Sequence, residues 1–136
     1  MSDNRKHVIL LMEDDEVLRR YLAKLLRADG FEVIEAGSVK EAIECARTPE
    51  LNLVVADLKM PDDTAIGLMK KLSEQHIDIP VIIITAFGEW ETYLEALDLG
   101  VCDYLNKPIE YAEFKEKIKL VLAKNGQRKH KKKPVR

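Results

Sequence analysis

Residues 7–16 read His7-Val8-Ile9-Leu10-Leu11-Met12-Glu13-Asp14-Asp15-Glu16, an apolar run of strand length that stops on a cluster of acids. An unbroken apolar run, rather than one alternating with polar residues, suits a parallel strand covered on both faces. Two more runs have this form. Leu53-Val54-Val55-Ala56 leads into Asp57, and Val81-Ile82-Ile83-Ile84 leads into Thr85-Ala86. Phe31-Glu32-Val33-Ile34 and Val101-Cys102-Asp103-Tyr104-Leu105 are weaker strand candidates, the second running on to Lys107-Pro108.

Helical periods separate the strands. Val17, Leu18, Tyr21, Leu22, Leu25 and Leu26 form one apolar stripe, with Gly30 where a C-terminal cap belongs. Ser38 and Glu41 have capping-box spacing ahead of Ala42, Ile43 and Ala46, and Pro49 stops that helix. A third helix is expected over about Ala65–His76 and a fourth over about Glu89–Leu99, ended by Gly100. On the fourth, Trp90, Tyr93, Leu94 and Leu97 make a stripe read as core packing. Phe114, Ile118, Val121 and Leu122 mark a fifth helix, which Asn125-Gly126 should end. Strand and helix thus alternate five times, which implies an open parallel sheet with helices on both faces.

Composition agrees with a single domain. The 136 residues are 46% apolar and 34% charged, enough for one core. No apolar run approaches the roughly 20 residues of a membrane span, and the polar start has no signal-peptide pattern. Cys45 and Cys102 lack metal-ligand spacing and are read as buried and inert, in a reduced cytoplasmic protein. Net charge is −2, but Arg128, Lys129, Lys131, Lys132, Lys133 and Arg136 stand together near the C-terminus without an acid. The domain organisation expected is an N-terminal tail over 1–6, a folded domain over 7–125 and a disordered basic tail over 126–136. The tail reads as a solubilising end or linker rather than a nucleic-acid contact.

In an open α/β sheet, ligands bind beyond the carboxyl ends of the strands, where the strand order reverses. Glu13, Asp14, Asp57, Thr85 and Lys107 all belong to such ends. Crowded carboxylates repel one another unless a cation sits among them. Hard oxygen ligands with room for water suit Mg2+. Phosphate alone is repelled by this edge, whereas phosphate bridged by Mg2+ is attracted. Thr85 adds a hydroxyl and Lys107 an ammonium for phosphoryl oxygens. Together these groups suit phosphoryl transfer with a carboxylate as nucleophile.

At these residues the chain resembles the receiver domain of bacterial two-component response regulators. The resemblance runs from about His7 to Ala123. It is carried by Met12-Glu13-Asp14, Asp57-Leu58-Lys59-Met60-Pro61, Ile84-Thr85-Ala86 and Asp103-Tyr104-Leu105-Asn106-Lys107-Pro108, in that order and at the family's spacing. It implies a flavodoxin-like (βα)5 fold, a doubly wound parallel sheet of five strands in the order 2-1-3-4-5. It implies that Asp57 accepts a phosphoryl group from a sensor histidine kinase or a phosphotransfer protein. Mg2+ would be held by Glu13, Asp14, Asp57 and the backbone carbonyl of Lys59. Thr85, Ala86 and Lys107 would meet the phosphoryl group, Thr85 and Tyr104 would act as the switch pair, and Lys107-Pro108 would be cis. The output surface would be helix 4, strand 5 and helix 5, and a phosphorylation-dependent homodimer stays open. Such a protein is no conventional enzyme, since it catalyses only its own phosphorylation and slow dephosphorylation. Slow decay is expected because Lys59 and Phe87, beside the approach to phosphorus, orient water poorly.

One stretch departs from the family pattern. Asp62-Asp63-Thr64-Ala65 replaces a loop that usually contains glycine, which leaves the loop geometry open. Three other readings compete. A flavin-binding electron carrier would need a phosphate-cradling loop where the acids 13–16 stand. A Mg2+-dependent nuclease or phosphohydrolase would want an acid at Lys59. A binding-only relative of the receiver would not need the intact set of Asp57, Thr85 and Lys107.

Overall fold

Odd and even residues of the central strands enter different cores, and this alternation organises the molecule. The computed structural model describes residues 6–86 and 90–131, with side chains described over 6–86 and 94–125. The elements run β1 (Val8–Met12), α1 (Glu16–Ala28), β2 (Glu32–Ala36), α2 (Val39–Cys45), β3 (Leu51–Asp57), α3 (Ala65–Glu74), β4 (Val81–Thr85), α4 (Trp90–Asp98), β5 (Asp103–Asn106) and α5 (Tyr111–Lys131). All the strand pairs are parallel, in the order β2-β1-β3-β4-β5. The five-strand sheet of the expected flavodoxin-like order is therefore present.

Ile9, Leu11, Leu53, Val55, Ile82 and Ile84 pack with Leu22 and Leu26 of α1 and Phe114 and Ile118 of α5. Leu10, Met12, Val54, Ala56, Val81 and Ile83 pack instead with Ala42, Leu68, Leu72 and Ala96 from α2, α3 and α4. Successive side chains of a strand point to opposite faces, so helices on both sides require apolar residues at every position. Truncating one of these buried leucines to Ala should cost about 2–5 kcal/mol. The weak strand signals belong to the sheet's edges, β2 and β5, which are covered less completely. β2 starts one residue after Phe31 and extends to Ala36, because Arg19 and Arg27 both reach Glu35 and draw it against α1. β5 starts at Asp103 rather than Val101.

Local signals set most helix ends. Ser38 Oγ accepts from the Glu41 N–H, while Glu41 Oε1 accepts from the Gly37 N–H. α2 stops at Cys45, before Pro49 is reached. Gly30 and Gly100 hold positive φ after α1 and α4, as left-handed helix stops do. α3 ends at Glu74, two residues before the expected limit, because His76 itself adopts φ 61° and cannot continue the helix. Ala65 is the first residue of α3, capped by Thr64, so this position needs no glycine.

Other expectations are corrected. α5 does not end at Asn125-Gly126 but runs to Lys131, so the first part of the expected disordered tail is helical. One glycine costs a helix only about 1 kcal/mol, and basic residues near the C-terminus favour the helix dipole. Leu94 and Leu97 are 44% and 45% exposed while Ala96 is buried, so α4 packs through its small residue and the leucine stripe faces outward. The side chains of Trp90 and Tyr93, the rest of that stripe, lie outside the described residues. On α1 the apolar stripe is narrower than its sequence suggests, since Val17 is 80% exposed. Cys45 is half-buried and Cys102 exposed, just ahead of the edge strand β5, so neither thiol is fully enclosed. No helix among the described residues is long and apolar enough to cross a membrane.

Candidate functional site

Sheet register assembles the site from residues far apart in sequence. Met12 pairs with Ala56, so Glu13 and Asp57 are level at the carboxyl edge of β1 and β3. Asp57 pairs with Ile84, which puts Thr85 one step beyond it on β4. Thr85 pairs with Asn106, and Lys107 follows. The order β2-β1-β3 reverses between β1 and β3, so the acids stand at the topological switch point.

Lys107 is the cation of this corner. Its Nζ lies 2.9 Å from Asp57 Oδ2 and 3.1 Å from Glu13 Oε1. Glu13 and Asp57 are both buried, as is Thr85. Glu13 Oε2 accepts from the Asp15 N–H at 3.0 Å. Glu13 Oε1, although close to Lys107, receives no well-directed hydrogen bond. Burial pushes the Glu13 carboxyl up to about 7, helped by the Asp57 charge and opposed by the Asp15 N–H and Lys107. Lys107 also loses solvation, but its hydrogen bond to Asp57 and the two acidic charges outweigh that loss and raise it. The ammonium therefore stays charged at neutral pH.

Carboxylate oxygens of Glu13, Asp14 and Asp57 fit within 4.8 Å of one another, with Asp14 exposed. Two buried acids, one with an oxygen lacking a directed hydrogen bond, beside an exposed third acid, match what a hard divalent cation takes. Asp57, Leu58, Lys59, Thr85, Ala86 and Lys107 line a cavity of about 190 Å3. At about 30 Å3 per water, that is room for a small anion and several waters. Thr85 Oγ1 donates to the carbonyl of Ala86 at 3.1 Å. Tyr104 is half-buried and packs against the core beneath α2, α3 and α4. The Lys107-Pro108 bond is cis. Phe87 lies outside the described residues.

The β3–α3 loop borders this cavity. Lys59 bridges to Thr64 in an antiparallel pair, Met60 N–H donates to the Asp63 carbonyl, and Ala65 N–H donates to the Leu58 carbonyl. Asp62 accepts from the N–H groups of Val39 and Lys40 at 3.0 Å each, so the loop caps α2. Gly67 leaves room for the exposed Asp63 carboxylate, which would have to swing aside for a Cβ at that position. A larger cavity of about 500 Å3, lined by Leu72, Ile77, Val81 and Leu99 among others, opens near the start of β4 and shares none of the site's residues.

Sequence reasoning passed over Arg19 and Asp62. Arg19 Nη1 donates to the Glu13 carbonyl at 3.0 Å, and its Nε donates to Glu35 Oε1 at 3.0 Å. Neither residue carries a local signal, because Glu35 on β2 and the first N–H groups of α2 come near them only in the fold.

A 2-1-3-4-5 parallel sheet with three acids, a buried Thr and a Lys at its switch point defines the receiver class of α/β protein. The sequence pattern of the response regulator receiver domain matches residues 9–119. The KDP operon transcriptional regulatory protein KdpE of Escherichia coli is 32% identical over 118 residues, covering 87% of this chain and 52% of that protein. The transcriptional regulatory protein PdtaR of Mycobacterium tuberculosis is 32% identical over 117 residues, covering 85% of this chain and 57% of that protein. The non-phosphorylated HemR receiver domain of Leptospira biflexa superposes with a TM-score of 0.80 at 32% identity, covering 86% of this chain and 94% of that one. The chain belongs to the response regulator receiver domain family. It spans about half the length of the curated relatives it matches.

Proposed function

We propose that this chain is a signalling switch that accepts a phosphoryl group on Asp57 in a Mg2+-dependent reaction, from a histidine kinase or a phosphotransfer protein. The observation that carries the reading is the contact of one ammonium, Lys107 Nζ, with both Asp57 Oδ2 and Glu13 Oε1 beside a small open cavity. A buried carboxylate next to a mobile cation and a cluster of acids is a nucleophile prepared for an anionic electrophile.

Glu13, Asp14, Asp57 and the Lys59 carbonyl would hold the metal. When bound, Mg2+ supplies charge neutralisation for the phosphoryl oxygens. Asp57 attacks phosphorus, an oxygen–phosphorus bond forms, and the bond to the donor's imidazole nitrogen breaks with its electron pair leaving on that nitrogen. Lys107 then exchanges its contact with the Asp57 carboxylate for one with a phosphoryl oxygen. Thr85 rotates from the Ala86 carbonyl toward another oxygen, while the small Ala86 side chain leaves the entrance open to a phosphodonor. Movement of Thr85 makes room for Tyr104 and alters the α4–β5–α5 surface, which a downstream protein, an effector domain or a second copy reads. Lys59 and Phe87 supply no acceptor for an attacking water, so the phosphorylated state decays slowly.

The test is incubation with Mg2+ and acetyl phosphate, followed by intact-protein mass measurement. Wild type should gain one phosphoryl group and lose it slowly once the donor is removed. Asp57→Asn should gain none while keeping its fold. Full labelling of that variant would overturn the assignment.

A further inference from the structure

We infer that Arg19 is a positioning residue for the acidic metal site, holding the peptide between Glu13 and Asp14 through the Glu13 carbonyl. The inference rests on the functional reading above and extends it to a residue one turn into α1.

Glu13 is held from several sides. Its N–H donates to the Ala36 carbonyl at 3.0 Å, continuing the β1–β2 ladder one residue past the strand. Its carbonyl accepts from Arg19 Nη1 at 3.0 Å, and its Oε2 accepts from the Asp15 N–H. Fixing that carbonyl fixes the plane of the peptide that leads to Asp14, and a planar peptide has no soft torsion of its own. This bond and the Asp15 N–H held by Glu13 Oε2 anchor the peptides on both sides of Asp14, which restrains the direction of its side chain although that side chain is exposed. Without the bond, the exposed acid must be ordered at the moment the cation binds.

Arg19 is itself held. Its side chain is 17% exposed, its Nε donates to Glu35 Oε1, and Arg27 grips the other Glu35 oxygen at 3.2 Å. Gly37 leaves space for the guanidinium, since a Cβ there would stand 3.1 Å from Arg19 Nη1. The fork of a guanidinium can serve a carboxylate and a carbonyl at once, which a lysine ammonium on one flexible stem does poorly.

Two physical effects of removing Arg19 have opposite signs, and this makes the inference testable. By charge alone, deleting a cation near three acids should tighten Mg2+ binding. By positioning, it should weaken it, since groups that orient metal ligands commonly contribute 10–100-fold in affinity. The experiment is calorimetric titration of Mg2+ into wild type, Arg19→Met, Arg19→Lys and Glu35→Gln, with metal-free melting curves for each. Arg19→Met should bind about tenfold more weakly. Arg19→Lys, which keeps the charge, should also bind more weakly, and it carries the test if Arg19→Met fails to fold. Glu35→Gln keeps an acceptor for Arg19 and should melt lower with nearly unchanged Mg2+ affinity. Equal or tighter binding by both Arg19 variants, or a loss in Glu35→Gln as large as theirs, would overturn the positioning role. Absence of Mg2+ binding by wild type would overturn the functional reading beneath it.

Discussion

Two acidic loops follow β1 and β3, neighbouring strands of this sheet, and the same chemistry behaves in opposite ways in them. In the β1–α1 loop, Glu13 is buried beside Asp57, and its carboxyl is pushed up to about 7. In the β3–α3 loop, Asp62 is exposed, and the N–H groups of Val39 and Lys40 hold its carboxyl below the usual range despite a little lost solvation. An acid next to N–H donors and water is a structural cap, whereas an acid next to other acids is an unfinished site. Burial raises the one carboxyl and backbone N–H donors lower the other.

Glu13→Gln should break this contrast most severely. It removes one negative ligand group, so Mg2+ affinity should fall by about tenfold or more. It should also remove a pH dependence. The Glu13 carboxyl moves from an ordinary 4.5 up to about 7 on folding, so between these values the folded state binds more protons than the unfolded state. Stability from this group is full below pH 4.5, falls as pH rises through the window, and is lost above 7. The upper bound is about 3 kcal/mol. Metal-free melting curves of wild type and Glu13→Gln should therefore diverge between pH 4.5 and 7.5, the variant gaining relative stability as pH rises. Parallel curves would mean that Lys107 fully compensates the buried charge.

Asp62→Ala tests the other loop and should have a smaller effect. It leaves two N–H groups at the start of α2 without their carboxylate, and losing a helix cap typically costs about 1 kcal/mol. Urea unfolding at pH 7 should show that loss, with Mg2+ affinity changed little. A large loss of Mg2+ affinity with intact stability would make Asp62 part of the metal site. Thr64→Ala should cost less again, about 0.5 kcal/mol, because its bond to the Gly67 N–H is long at 3.3 Å. The same unfolding measurement checks it, and a loss exceeding that of Asp62→Ala would reverse the proposed order.

Much of this molecule could be read from the chain alone. The three apolar runs that became β1, β3 and β4 were legible because strands covered on both faces need no polar positions. The edges were harder, since β2 and β5 are partly exposed and their patterns blur. Ser38, Gly30 and Gly100 announced their helix ends through short-range chemistry. His76 did not, because nothing nearby in sequence signals a left-handed histidine. The fourth helix misled through its leucines, which have helical spacing whether they face the core or solvent.

The site divides in the same way. Glu13, Asp14, Asp57, Thr85 and Lys107 stand at the ends of recognisable strands, so their convergence followed from topology before any distance was known. Sequence also determined the acidic character of that edge and hence its need for a cation. Only the tertiary structure decided that Glu13 is buried deeply enough to hold its proton to about 7, that Lys107 bridges Glu13 and Asp57, and that Arg19 and Asp62 anchor the flanking loops. Strand and helix periods are local and repeat within a few residues. Desolvation, and hydrogen bonds between elements distant in the chain, depend on register and packing, which exist only after the sheet has formed.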